Sequence, residues 1–592
     1  MEYKKSGRGY ISFKNKIDVI PQEKNSFSLS FQTKFGVVNQ KQERGFTLIE
    51  LLGVIVVLAV LALIITPSIL SAIESSRKAT FEQSVHGLLD AVLKEQVSES
   101  VNKLTYQLPL SDSTFFLEKN QTDRFQGVVS VNEDGETIVS VDDGRYCAYK
   151  GYHSALTIKK SGECYSIVTL SEATTKLLDE SSEGTYSYLN GTYLKGAQNN
   201  NYIWFSGVLW RIMGKNADGT IRLMAAYSLG SIRNHAFRQA LNYDTQFLNS
   251  WLNDYFYPQL KEKDQVVEQQ WCLLKTAGVD ETLERTHSSS TCEDGTFLSK
   301  RPVGLVTLDE FNLSNPETTY LYADNNGGTL LTMSIYDPTQ MWLINEYNKN
   351  AIITYSRNLS ALHPVINIDG GRYIIAGDGT KNSEFVFDPI YVRNKGISEA
   401  VGIGEYVIFS GRTYRVLENT PDGVQLLSEE EYKDSSGRAL KFPYGTIDEA
   451  TRKLKDISLD RVLQSSELNQ WVLQNSIDRE KLVTDYVWYH GNSDPDDYRL
   501  SIEDRGRPLQ SMIGLMKKYQ VIPNLKNKTG WTLSLGKNND QENEYGICAS
   551  AYSGVFHGGS VSGEYSIMPV IVVQNGVKIL SGSGTRVDPY QI

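Results

Sequence analysis

The sequence predicts an α+β protein: one long N-terminal helix carrying a small antiparallel sheet, then two homologous β-rich α+β domains. Three observations lead there. Residues 46–70 form a 25-residue span whose centre, Leu51 to Ile65, holds only Gly53 and aliphatic side chains, and about 20 such residues cross a bilayer as a helix. Residues 71 to about 105 then place Ile73, Phe81, Val85, Leu88, Leu89, Val92 and Leu93 at helical spacing among charged residues, as in an amphipathic helix. Finally, the chain beyond residue 197 repeats itself at an offset of 204 to 205, which marks a duplicated unit.

The apolar span has a distinctive near edge. It opens Arg44-Gly45-Phe46-Thr47-Leu48-Ile49-Glu50. A carboxylate within a membrane helix costs roughly 2.5–3.5 kcal/mol on insertion scales, so such an acid has a partner and a task. Arg-Gly before the run, with Phe46 and Glu50 inside it, resembles the N-terminus of type IV prepilins and pseudopilins. The resemblance implies that a prepilin peptidase cuts after Gly45 and methylates the new amine on Phe46. It also implies that Glu50 pairs with the N-terminal amine of a neighbouring subunit during assembly. The physics agrees, because a buried carboxylate beside a buried ammonium is tolerable while either alone is expensive. Thr47 and Pro67 fall where the family places a small polar residue and a helix-bending proline.

Residues 1–45 form the leader that this cleavage removes. They carry nine Lys/Arg against four Asp/Glu, and basic flanks stay cytoplasmic. The expected topology is single-pass in the cell membrane with a cytoplasmic N-terminus, and cell-surface or pilus display after processing. The leader lacks the apolar core of a secretory signal peptide. It exceeds most family leaders in length. A long leader, and a start codon assigned too early with Val37 or Val38 as the true start, are both open.

Residues 46–168 read as a pilin-like domain. Gly127–Val131 and Thr137–Val141 flank the turn 132–135, and Tyr146–Tyr149 and Ala155–Lys159 read as two further strands. Residues 169–196 are polar and Ser/Thr/Glu-rich, which reads as a linker.

Residues 197–392 and 402–592 then form two repeat domains joined by a linker at 393–401. YIWFSGVLWRI at 202–212 answers YVIFSGRTYRV at 406–416. Leu248-Asn249-Ser250-Trp251 echoes Leu468-Asn469-Gln470-Trp471, Val303-Gly304-Leu305 echoes Ile513-Gly514-Leu515, and Trp342 and Trp531 open similar segments. The copies end alike, at 363–387 and 568–592. Both resemble a domain found in surface proteins of Gram-positive bacteria, with a closing pattern similar to C-type-lectin-like folds. Trp204 and Trp210 of the first copy become Ile408 and Tyr414 in the second.

Composition narrows the function. The net charge is −11, and removal of the leader leaves 50 Lys/Arg against 66 Asp/Glu, a charge of −16. That argues against a nucleic-acid partner, which needs basic patches. Tyr (34) and Gly (47) abound and Pro (16) is sparse, which suits β-rich extracellular domains. Outside the cytoplasm disulfides persist, so the local pairs Cys147–Cys164 and Cys272–Cys292 are expected as bridges, with Cys548 free. Neither spacing suits a zinc site. The seven histidines show no HExxH spacing, and no nucleophile elbow or phosphate loop occurs. The acidic clusters at 494–497 and 540–544 do not fit an EF-hand loop. No metal, cofactor or catalytic constellation is expected, so an enzyme is not.

The leading expectation is a minor or tip pilin-like subunit displaying two domains for adhesion. Its partners would be the prepilin peptidase, other pilin or pseudopilin subunits, the membrane, and an extracellular glycan or protein ligand. The rivals are a structural or priming pseudopilin of a type II secretion or competence (DNA uptake) system, and a membrane-anchored surface enzyme.

Overall fold

The computed structural model describes residues 47–592 apart from 102, 115, 133–134, 153, 234–246, 276–285, 294, 323–328, 338–339, 356–358, 391, 449, 451–453, 491–506, 521–528, 539–540 and 551–555. Gly45 and Phe46 lie outside the described residues. Residues up to 76 and residues 77–592 form two compact units.

Helix α1 (Leu48–Glu99) runs through Pro67. A proline removes one main-chain donor, and the hydroxyl of the preceding Thr66 donates to the Ala62 carbonyl at 2.5 Å. The helix ends where Ser100 adopts a positive φ of 53°. The sequence pattern suggested a helix to about residue 105, but Leu104–Leu108 is already a strand, β1. It is followed by β2 (Gln126–Val131), β3 (Thr137–Asp142), β4 (Tyr146–Lys150) and β5 (Thr157–Lys160). The five pair in chain order, every pair antiparallel.

Phe81, Val85, Leu88, Leu89 and Val92 of α1 are buried against Val129, Val131, Val139 and Val141. Their spacing gives the helix one apolar stripe and the strands one apolar face. Each such side chain stabilises by about 1.5–3 kcal/mol on burial. The opposite face of the sheet is also covered. Val128 and Ile138 pack with Ile167, Ile375, Tyr149, Tyr165 and Tyr373, and the Tyr149 hydroxyl donates to the Ile375 carbonyl at 2.7 Å.

Residues 169–196 are therefore not a linker. Val168–Thr169 pairs antiparallel with Tyr373–Ala376. Leu170–Asp179 is a helix opened by a reciprocal cap between Thr169 and Glu172. Thr185–Tyr188 and Gly191–Leu194 form a hairpin that joins Val208–Lys215. The polar composition concealed a helical stripe, for Leu170, Ala173, Thr174 and Leu177 are all buried. Likewise, Ile397–Ala400 within 393–401 is a short helix whose Ile397 and Ala400 sit in the core of the second repeat.

Residues 197–392 and 402–592 share two sheets of like strand order, and the second region adds two two-stranded sheets, Thr446–Ile447 with Leu454–Asp456 and Val487–His490 with Arg507–Gln510. In the first, Val303–Gly304, Val365–Ile368, Ile221–Ala225, Val208–Lys215, Tyr202–Phe205 and Phe385–Phe387 lie side by side in that order. In the second the order is Ile513–Gly514, Val570–Val573, Gly423–Ser428, Arg412–Thr420, Tyr406–Phe409 and Tyr590–Gln591. The closing pair is parallel in each, Phe385 beside Ile203 and Tyr590 beside Val407. The second sheets agree too. Leu359–Ala361 and Glu564–Ser566 each run parallel to the next long strand, Thr329–Asp337 and Thr529–Asn538.

Candidate functional site

Two places concentrate functional chemistry: the start of α1 and the junction between the repeat regions.

At the start of α1, Thr47 and Glu50 form a reciprocal cap. The Thr47 amide and hydroxyl each donate to Glu50 Oε2 at 2.9 Å, and the Glu50 amide donates to Thr47 Oγ1 at 3.4 Å. The Thr-x-x-Glu spacing sets this up, because N-cap and N3 side chains meet on the first turn. A carboxylate has about four acceptor sites, so Glu50 keeps capacity for an incoming ammonium. Beyond it, every large aliphatic side chain from Leu48 to Leu63 is exposed. A helix apolar on all sides belongs in lipid or among other helices. Among the described residues α1 is the one helix long and apolar enough to cross a membrane.

The repeat regions meet through a duplicated motif. Ser206-Gly207 and Ser410-Gly411 are hairpin turns with positive φ at both residues (50°/75° and 47°/75°), a requirement of the tight hairpin turn. Arg211 stacks on Tyr202 at 4.3 Å and donates to its hydroxyl at 3.0 Å. Arg415 repeats this on Tyr406 at 4.1 Å and 2.8 Å. Arg415 also reaches across to the Gly207 carbonyl at 3.3 Å. A side chain on Gly207 would strike the backbone of residues 403–405, with Ile403 O 2.1 Å from its Cβ.

Beside this contact, buried Glu405 lies 3.4 Å from Lys261 Nζ and accepts from the Gly402 amide at 2.8 Å and the Tyr590 hydroxyl at 3.3 Å. Burial pushes its carboxyl up to about 7, with Lys261 and the Gly402 amide pulling it down. Trp251 Nε1 donates to the Tyr519 carbonyl at 2.9 Å and adds a further tie between the regions.

The cysteine pairs are disulfides, Cys147–Cys164 and Cys272–Cys292, with Cα separations of 5.8 and 5.9 Å. The Cys548 side chain lies outside the described residues, as do residues 494–497. Among the described residues no cluster of three metal-ligating side chains occurs. His287 Nδ1 lies 2.5 Å from buried Asp309, and His363 Nδ1 lies 2.9 Å from the Ala225 carbonyl. His490 contacts the Tyr444 hydroxyl at 2.9 Å and Asp460 at 2.8 Å.

The sequence reading missed one equivalent pair, Trp271 and Trp488. Each packs flat where its sheet carries Gly304 or Gly514, and each indole donates to a carbonyl at 2.9 Å, of Arg301 or Ser511. Their sequence surroundings differ, so only the two glycines signalled the close approach.

Residues 40–66 match the family model described as the prokaryotic N-terminal methylation motif. No curated protein and no solved structure matches the chain. The matched segment supports a type IV pilin-like or pseudopilin-like subunit anchored by an N-terminal apolar helix. A motif of this kind implies processing by a prepilin peptidase and assembly with other pilin subunits.

Proposed function

We propose that the chain is a prepilin cut after Gly45, N-methylated on Phe46, and assembled through α1 as a minor or tip subunit of a type IV pilus or pseudopilus. Glu50 pairs with the N-terminal amine of the neighbouring subunit. Residues 197–392 and 402–592 are two copies of one domain, displayed outside the cell for adhesion, and neither carries out catalysis. The observation that carries this reading is the methylation-motif match over 40–66, joined to a helix whose aliphatic side chains from Leu48 to Leu63 are exposed all round. Bulk favours a minor or tip place, because two added domains per subunit would crowd a filament packed through its helices. Mass spectrometry of sheared filaments tests it. A chain beginning at N-methyl-Phe46 is the expected species, and an uncut chain confined to the membrane would sink the proposal.

A further inference from the structure

The pilin-like head and the first repeat enclose a cleft of about 320 Å³. It lies at a domain junction, where small-molecule sites of roughly 300–1,000 Å³ are common. Lys103, just before β1, and Asn132 form one wall from the head, and Glu262, Gln265, Arg372, Tyr373 and Asp388 form the other from the first repeat.

The charges in this cleft cancel in pairs. Lys103 is paired with Asp388, and Arg372 with Glu262. Arg372 is held further by stacking on Phe387 at 4.1 Å and by donating to the Asp388 carbonyl at 3.3 Å. A ligand therefore meets fixed donors and acceptors with no net charge. An anion finds both cations neutralised and must break a partly buried pair to bind, which is costly. A divalent cation would have to displace Lys103 from Asp388 and Arg372 from Glu262, since each carboxylate already faces a cation. Hydroxyl groups, which donate and accept at once, suit such an array. The half-buried Tyr373 ring, with Pro389 and Ile390 beside it, supplies apolar surface for the C–H face of a sugar ring.

We propose that this cleft binds a neutral saccharide, one or two rings in size, and is the ligand-reading site of the displayed body. This rests on the reading that residues 77–592 face the exterior.

The test uses the full chain in a detergent without a sugar headgroup, titrated calorimetrically with lactose, cellobiose and diacetylchitobiose. Sialyllactose and glucuronate serve as charged comparisons. At least one neutral disaccharide is expected to bind, with Kd roughly 0.1–1 mM. Gln265→Trp, which fills the cleft, should weaken it at least about tenfold, and Gln265→Ala about three- to tenfold through one lost hydrogen bond. Both variants should keep the wild-type Tm; if the tryptophan does not fold, the alanine variant carries the comparison. Binding untouched by the folded variants, tighter binding of the charged sugars, or no binding of any neutral disaccharide would overturn the proposal. None of these outcomes bears on whether the chain is cut at Gly45 and found in filaments, so the two readings fail separately.

Discussion

Raising the pH should loosen the junction of the repeats through Glu405. Its carboxyl, ordinarily near 4.5, is pushed up to about 7 by burial. Between these values the folded protein holds a proton that the unfolded chain has released. The stabilisation is complete below the unfolded value and is lost as the pH rises through the folded one. At about 1.4 kcal/mol per pH unit, the interval from 4.5 to about 7 is worth about 3 kcal/mol. Lys261, Glu262 and Tyr590 face the same carboxyl. Glu405→Gln keeps the shape and stays neutral at every pH. The assay is denaturant unfolding at pH 5 and pH 8, followed by tryptophan fluorescence, in wild type and variant. Wild type should lose up to about 3 kcal/mol more than the variant between the two conditions. Equal pH dependence in both proteins would refute the assignment.

Other outcomes follow from single contacts. Gly514→Ala should destabilise the second repeat by about 1–3 kcal/mol or more, because the new Cβ would sit 2.1 Å from the buried Trp488 ring; differential scanning calorimetry reads this, and Gly304→Ala should do the same against Trp271. Replacing Cys272 and Cys292 together with serine should cost about 3 kcal/mol, the worth of closing a loop of this length, and chemical denaturation of oxidised protein against the double variant measures it. Glu50→Gln should leave cleavage intact yet reduce the chain in sheared filaments by at least about a hundredfold, since an unpaired buried ammonium costs roughly 3–5 kcal/mol; immunoblots of both fractions decide.

How legible the protein was in its sequence depended on whether one period governed a segment. The stripe Phe81, Val85, Leu88, Leu89, Val92 placed α1 on its sheet correctly, and four of the five strands fell within two residues of their observed ends. β1 was lost because the helical pattern ran up to it, whereas the positive φ at Ser100 ends the helix before the strand begins. Leu170–Asp179 was lost because Thr169 serves as its cap, Thr175 lies on its exposed face and Thr174 fills a core position, a composition that by itself reads as loop. The disulfides were legible because their short loops left little choice of partner. The junction was not. Tyr406 and Arg415 are ordinary residues of a strand pair and Glu405 just precedes it, and only the folded chain brings Lys261 and Gly207 beside them. The cleft was hidden for the same reason, with Lys103 and Asp388 separated by 285 residues.

The parallel closing strands carry a consequence for how the protein is made. Tyr202–Phe205 acquires its neighbour Phe385–Phe387 only after about 180 further residues have been synthesised, and Tyr406–Phe409 waits as long for Tyr590–Gln591. Such distant pairings form slowly, and until they form each sheet stands with a bare edge open to pairing with other chains. Biogenesis therefore passes through two successive vulnerable intervals, one per repeat. Protection of the nascent chain matters most during those intervals, before any filament exists to receive it.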